Sequence, residues 1–247
     1  SNSKKLYLKT TENDVIARAL YWEGIDKFES GTIPIFIKLL TASHTFLDIG
    51  ANTGLYSLIA AIDSSDRKVY AFEPVPSILS YFNKNIDLNK LQNIQISPIA
   101  ATNYDGEIEL YVPSGNLPTS ASTLKDFREA EKIISVPAIT IDSFLKLNDI
   151  SKVDLLKIDT EATEHTVLEG AKSILKRDEP IIICEVLKGQ TEKYLHTILD
   201  DLNYKYFLLS SEGLVEKERI EGDPNYKDLN YIFIPKNKVE SVMQQIL

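Results

Sequence analysis

The sequence predicts an α/β protein with a doubly wound, mostly parallel sheet, and three observations carry that prediction. Short apolar runs alternate with helix-period segments from about residue 45 onward. Those runs are apolar on both faces, which suits strands covered by helices on each side. A turn holding two glycines follows the first run, at the carboxyl end of a strand, where such sheets bind ligands.

Each element follows from its pattern. "FLDIG" (46–50) reads as a strand, followed by the apolar-faced "LYSLIAAI". "KVYAFEP" (68–74) is the second strand, followed by a helix with Ile78, Leu79, Phe82 and Ile86 on one face. "IQISPIA" (94–100) is the third. Residues 107–139 hold "EIELYV", a polar "PSGNLPTSAS" loop and "IISVPAIT", which reads as an antiparallel excursion rather than a crossover helix. "DLLKID" (154–159) precedes a helix carrying Val167, Leu168, Ala171, Ile174 and Leu175. "PIIICEV" (180–186) precedes one carrying Leu195, Ile198, Leu199 and Leu202. "YKYFLLS" and "LNYIFIPK" are separated by a polar loop with no room for a helical crossover, so they should pair antiparallel at the sheet end. Residues 1–44 form a helical lead-in packed on the core, amphipathic around "VIARALYWEGIDKF", and 45–247 form the main domain.

Composition bounds the function. At 43% apolar and 26% charged, the 247 residues describe an ordinary globular chain with a substantial core. A net charge of -9 argues against a nucleic-acid partner. The lone Cys184 reads as a buried small apolar residue, and no internal disulfide is possible. "SNSKKLYLKT" has no signal-peptide core and no apolar stretch is long enough to span a bilayer, so the expectation is a cytoplasmic protein with no membrane partner.

The turn Gly50-Ala51-Asn52-Thr53-Gly54 fails the dinucleotide fingerprint, because Asn52 and Leu55 stand where G-x-G-x-x-G needs glycine. What remains is D-x-G-x-x-x-G from Asp48, with Glu73 at the tip of the next strand. A carboxylate there is placed to accept both hydroxyls of a ribose. Two carboxylates beside the turn suit a cationic ligand better than a pyrophosphate. S-adenosylmethionine, with a sulfonium, an amino group and a ribose diol, meets that requirement. The plainer alternative is a tight strand–helix turn with Asp48 as a cap.

Four stretches, "LDIGANTGLYSL", "VYAFEPVPSILSYFNKNIDLN", "LLKIDTEATEHTVLEGAKSIL" and "PIIICEV", occur in that order. In these the chain resembles the FkbM-type S-adenosylmethionine-dependent methyltransferases over about residues 20–235. The resemblance implies a class I methyltransferase, Rossmann-like sheet of seven strands whose last strand is antiparallel. It implies S-adenosylmethionine as methyl donor and transfer to oxygen, on a sugar or polyketide-like hydroxyl of a small molecule or glycan. The implied cofactor-binding set is Asp48, Gly50, Asn52, Gly54, Glu73 and Ala100. Ala162 departs from the family, which usually has Gly there, so either the backbone is ordinary at this point or the pocket is reshaped.

Methyl transfer asks the protein to align the acceptor, exclude water and manage one proton. In this fold the methyl points toward the ends of the fourth and fifth strands, which makes Asp159 and Glu185 the first catalytic candidates, as base or metal ligand. Asp159 could instead cap a helix. Glu161 and Glu164 could act in catalysis or merely complement a helix dipole, and His165 could be a base or a surface residue. Lys157 could hold an anion or snorkel. Tyr21, Trp22 and Phe28 could close over a ligand or pack the lead-in on the sheet. His44 and His196 are scattered, no His/Cys cluster has zinc-ligand spacing, and no structural zinc is expected; any metal would be a hard cation on carboxylates such as Asp159 and Glu185. An N-methyltransferase and a catalytically silent cofactor-binding subunit remain the alternatives.

Overall fold

The computed structural model describes residues 5–247 except 12, 13, 26, 116, 119, 120 and 126. The first four residues of the lead-in, part of its helical pattern and part of the polar 113–122 loop therefore lie outside the described residues.

In chain order come α1 (Val15–Glu23), α2 (Ile33–Leu40), β1 (Thr45–Ile49), α3 (Leu55–Asp63), β2 (Lys68–Phe72), α4 (Pro76–Asn89), β3 (Ile94–Ser97), β4 (Ala100–Ala101), β5 (Gly106–Val112) and β6 (Lys132–Ile139). Then follow α5 (Ile141–Leu147), β7 (Leu155–Ile158), α6 (Glu164–Glu169), α7 (Lys172–Arg177), β8 (Ile181–Glu185), α8 (Glu192–Asp201), β9 (Tyr204–Ser210), β10 (Gly213–Lys217), β11 (Asn230–Pro235) and α9 (Val239–Ile246). The main sheet has eight strands in the order β10-β9-β11-β8-β7-β1-β2-β3. β3, β2, β1, β7 and β8 run parallel, and β11 lies antiparallel between β8 and β9.

Side-chain alternation divides the core in two. Leu47, Ile49, Leu156, Ile158, Ile182 and Cys184 pack under α5–α8, with Val167, Leu168, Leu195 and Leu199. Phe46, Leu155, Ile183 and Ile232 face the other way, onto Ile33, Phe36, Tyr56 and Ala60 of α2 and α3. Asp48 and Lys157 are register partners on adjacent strands, and by the same alternation they share this second face.

Three expectations need correction. The sheet holds the seven expected strands plus an edge strand, β10, which turns back on β9 inside the polar 211–229 stretch. β9 and β11 pair antiparallel at this end of the sheet, as expected, with β10 beyond them. "IQISPIA" is not one strand: β3 stops at Ser97 before Pro98, and Ala100 pairs with Ala138 in a separate three-stranded sheet, β4-β6-β5. The helix drawn through 164–175 is broken in two at Gly170. A Cβ on Gly170 would stand 2.0 Å from the Thr102 carbonyl oxygen, and Asp142 caps the second piece through the Ser173 and Ile174 amides. In the lead-in, α2 is embedded in the core, whereas α1 buries no residue, and Tyr21 and Trp22 are 80% and 79% exposed. They pack edge to face on each other. Phe28 is half-buried against the second core. No described helix is long and apolar enough to cross a membrane.

Candidate active site

The parallel strands end together at their carboxyl edge, and two clefts open there. Gly50, Asn52, Glu73, Ala100, Asp159 and Glu161 line the first, with Ile78 and Leu110 supplying apolar wall. Glu29, Asp159, Glu185 and Asn230 line the second, below a rim that includes Lys27 and Lys227. Asp159, just past the end of β7, lines both.

The glycine turn is pinned from below. The amides of Gly50 and Ala51 both donate to the Phe72 carbonyl at the end of β2, each at 3.0 Å. Gly50 has φ +77°, and a Cβ there would stand 1.8 Å from the Asp159 carbonyl oxygen. Its freedom from a side chain is thus demanded by the neighbouring strand end as much as by any ligand. Gly54, at φ +90°, does not line the cleft; a Cβ there would collide with the Phe82 ring at 2.1 Å. Asp48 is likewise withdrawn. It is buried and accepts from the Ser57 amide at 3.0 Å and the Ser57 hydroxyl at 2.7 Å, so it caps α3 from the strand beneath. The plainer reading of Asp48 holds at the level of contacts.

Glu73 is buried with one oxygen on the Asn52 amide (3.0 Å) and the other on the Val75 amide (2.8 Å), which joins the glycine turn to the start of α4. Burial pushes its carboxyl up to about 7, against the pull of those two amides. Asn52 takes a left-handed φ of 51° and accepts from the Thr53 amide.

Beneath Asp159 lies a buried charge network. The Lys157 ammonium bonds Asp159 Oδ2 at 2.7 Å and sits 4.6 Å over the centre of the Tyr56 ring. The Tyr56 hydroxyl donates to Glu29. Burial works against the Lys157 charge, yet Asp159, Glu29 and Asp48 together hold its pKa above the ordinary lysine value. Lys157 neither snorkels nor waits for an anion, because its partner is Asp159. Nor does Asp159 cap the next helix, whose N-cap is Thr163.

The turn after β7 is strained. Glu161 and Ala162 adopt successive left-handed conformations, φ 57° and 74°, so the backbone at Ala162 is not ordinary and an alanine holds a conformation that favours glycine. Glu164 holds this turn: its Oε1 accepts from the Thr160 and Ala162 amides at 3.0 and 3.1 Å. Burial pushes Glu164 up to about 7. Burial and the nearby Asp159 push Glu161 up to about 8, with Arg128 opposing from 3.7 Å. Burial, reinforced by Asp159, Glu161 and Glu164, raises Glu185 to about 10. His165 lines neither cleft; its ring stacks on Tyr194 at 4.9 Å. Among the described residues no three His, Cys, Asp or Glu side chains are grouped to hold a metal ion.

The family described as the methyltransferase FkbM domain matches residues 48–206. The chain belongs to the FkbM methyltransferase family. The tRNA (guanine(37)-N(1))-methyltransferase of Heterostelium pallidum is 28% identical over 167 residues, covering 62% of this chain and 38% of that protein. Methyltransferase 1 of Beauveria bassiana is 26% identical over 141 residues, covering 50% of this chain and 57% of that protein. The chain thus spans less than two thirds of the length of the curated relatives it matches. A solved FkbM methyltransferase from Methylobacillus flagellatus superposes with a TM-score of 0.52 at 16% identity, over 77% of this chain and 43% of its own, and shares the fold.

The two clefts also bring in residues that the sequence did not single out. Glu29 and Asn230 enter the second cleft from outside the family match, and Tyr56 was hidden in an apolar helix face. Ser122 donates from the 113–131 loop to the Glu161 carbonyl at 2.7 Å.

Proposed function

We propose that the chain is an S-adenosylmethionine-dependent O-methyltransferase acting on a hydroxyl of a small molecule or glycan. The observation that carries this reading is that Asp159 lines both clefts, so a methyl donor in one and an acceptor in the other would meet at a carboxylate. The first cleft suits a cationic donor. No Lys or Arg is among its described lining residues to receive a pyrophosphate, while Glu73, Asp159 and Glu161 present carboxyl groups. Glu73 would hold the ribose hydroxyls with the lone pairs that Asn52 and Val75 leave free, and the Gly50–Asn52 backbone would face the methionine portion.

When bound, the donor supplies an electrophilic methyl on a sulfonium leaving group. Lys157 fixes Asp159 through Oδ2, leaving Oδ1 to orient the acceptor hydroxyl and take its proton. Glu185, kept neutral at pH 7, positions the acceptor through its carbonyl oxygen rather than acting as the base. The net charge of -9 and the carboxyl groups of the second cleft weigh against a nucleic-acid acceptor.

Calorimetry with S-adenosylhomocysteine and with NAD, followed by transfer of labelled methyl groups into fractionated small-molecule and glycan extracts, tests the reading. The expected result is binding of S-adenosylhomocysteine alone and label in a base-stable ether. Preferential NAD binding, or label confined to nitrogen, overturns it.

A further inference from the structure

The second cleft has no assigned ligand, and its floor has a particular chemistry. Asn230 and Glu185 are register partners on β11 and β8. Each carries a buried oxygen with no hydrogen-bond partner, Asn230 Oδ1 and Glu185 Oε2. Buried polar atoms left unpaired are rare, and two on adjacent strands in one cleft call for an occupant that supplies hydrogens. Glu29 closes the third side, receiving the Tyr56 hydroxyl and, at 3.5 Å, the Asn230 amide on a single oxygen, Oε2. Its segment is held firmly over the cleft. A Cβ on Gly31 would come within 2.7 Å of the Ser210 backbone, and the Thr32 and Ile33 amides both return to the Glu29 carbonyl. Lys27 and Lys227 are exposed at the mouth, where water screens them, so the interior is marked by the side-chain oxygens of Glu29, Asp159, Glu185 and Asn230.

We propose that Glu29, Asn230 and Glu185 form the acceptor-recognition subsite and select an acceptor rich in hydrogen-bond donors that carries no negative charge. This rests on the methyltransferase reading above and adds which residues choose the acceptor. Two chemistries supply such donors, neutral polyols and amines. Anionic esters would bring a second negative charge against Glu29 and Asp159.

The test uses the full chain with labelled methyl donor and a panel of neutral polyols, their amino counterparts and their phosphate esters. The wild type should label polyols or amino compounds at least tenfold faster than phosphate esters, and which of the two leads identifies the source of the hydrogens. Glu29→Gln and Asn230→Ala should each lower kcat/KM for the preferred compound about tenfold or more. Their S-adenosylhomocysteine affinity should stay within about twofold of wild type, which also reports that they fold. Preferential labelling of phosphate esters, unchanged kcat/KM in both variants, or no labelled compound while S-adenosylhomocysteine binds would each overturn the subsite. Failure of the wild type to bind S-adenosylhomocysteine would instead overturn the methyltransferase reading.

Discussion

The two clefts that meet at Asp159 are built from different parts of the chain. Every residue lining the first lies within the family-matched 48–206, whereas in the second only Asp159 and Glu185 do. The rest of the second cleft comes from residues 27–32 of the lead-in and 209–230 around the β9–β11 connection. The first cleft is held by strand tips and the turns tied to them, such as Glu73 bonded to the Asn52 amide. The second is held by flanking loops packed on one another, with Gly31 against Ser210 and Glu29 joined to Tyr56 and Asn230. This contrast suggests a division of labour in which the sheet edge fixes the chemistry and the flanks set the acceptor.

The sharpest way to break the contrast is Gly50→Val. Its side chain would have to enter the space of the Asp159 carbonyl while holding a left-handed φ, a conformation rare for β-branched residues. We expect a loss of about 3 kcal/mol in stability and no measurable S-adenosylhomocysteine binding, checked by denaturant unfolding and calorimetry. A stable Gly50→Val protein that still binds would show that the turn is looser than its contacts imply. Asp159→Asn comes next. Donor affinity should stay within a few-fold while turnover falls roughly 10²-fold, the range for losing a general base. Wild-type turnover across pH would reduce Asp159 to the anchor of Lys157.

What could be read in advance divides along the same line. The sheet, the antiparallel β5–β6 excursion and the cleft-lining positions of Gly50, Asn52, Glu73, Asp159 and Glu185 followed from residues at strand ends, where period and register fix position. Asp48 and Gly54 were placed in the right turn, but their contacts are with Ser57 and Phe82, because spacing reveals location and not the direction a side chain takes. Glu29 and Asn230 were not legible. They come together across 201 residues through loop packing, for which no local pattern exists. β10 and the break at Gly170 were missed for the same reason: an edge hairpin of polar residues has little periodicity, and Gly170 is required only because Thr102 lies against it.

The pH dependence of donor binding sharpens the role of the first cleft, with a smaller effect. Glu73 has a carboxyl raised to about 7 in the ligand-free protein, so it is mostly protonated at pH 6 and mostly ionised at pH 8. Ribose hydroxyls bind the ionised form better, so S-adenosylhomocysteine affinity should rise by up to about tenfold between these pH values. Glu73→Gln should bind more weakly than wild type at pH 8 and show a flatter profile. An equally steep profile in Glu73→Gln would assign the titration to another group, with Glu161 the next candidate because burial and Asp159 raise it to about 8.

The smallest expected effect concerns the strained turn that separates the clefts. Ala162 is 1% exposed, with φ 74° and its amide on Glu164 Oε1, so its methyl group is held in a left-handed conformation with nowhere to relax. An L-residue pays about 1–2 kcal/mol there, and glycine pays no such steric cost but loses more backbone entropy on folding, by about 0.5–1 kcal/mol. The balance favours Ala162→Gly by up to about 1 kcal/mol in chemical denaturation, less the packing lost with one buried methyl. Acidification works on the same turn. Glu164 is raised from an ordinary carboxyl value to about 7, so the folded state holds its proton where the unfolded chain has lost it. By linkage this contribution is present in full below about pH 4.5 and is lost as the pH rises through about 7. Ala162→Gly should therefore gain its stability at every pH, whereas Glu164→Gln should reduce the slope between pH 5 and 8, leaving the part set by Glu73 and Glu161. If Ala162→Gly instead destabilises the protein while leaving that slope unchanged, the alanine methyl is a packing element of the core and the left-handed turn costs less than its φ implies.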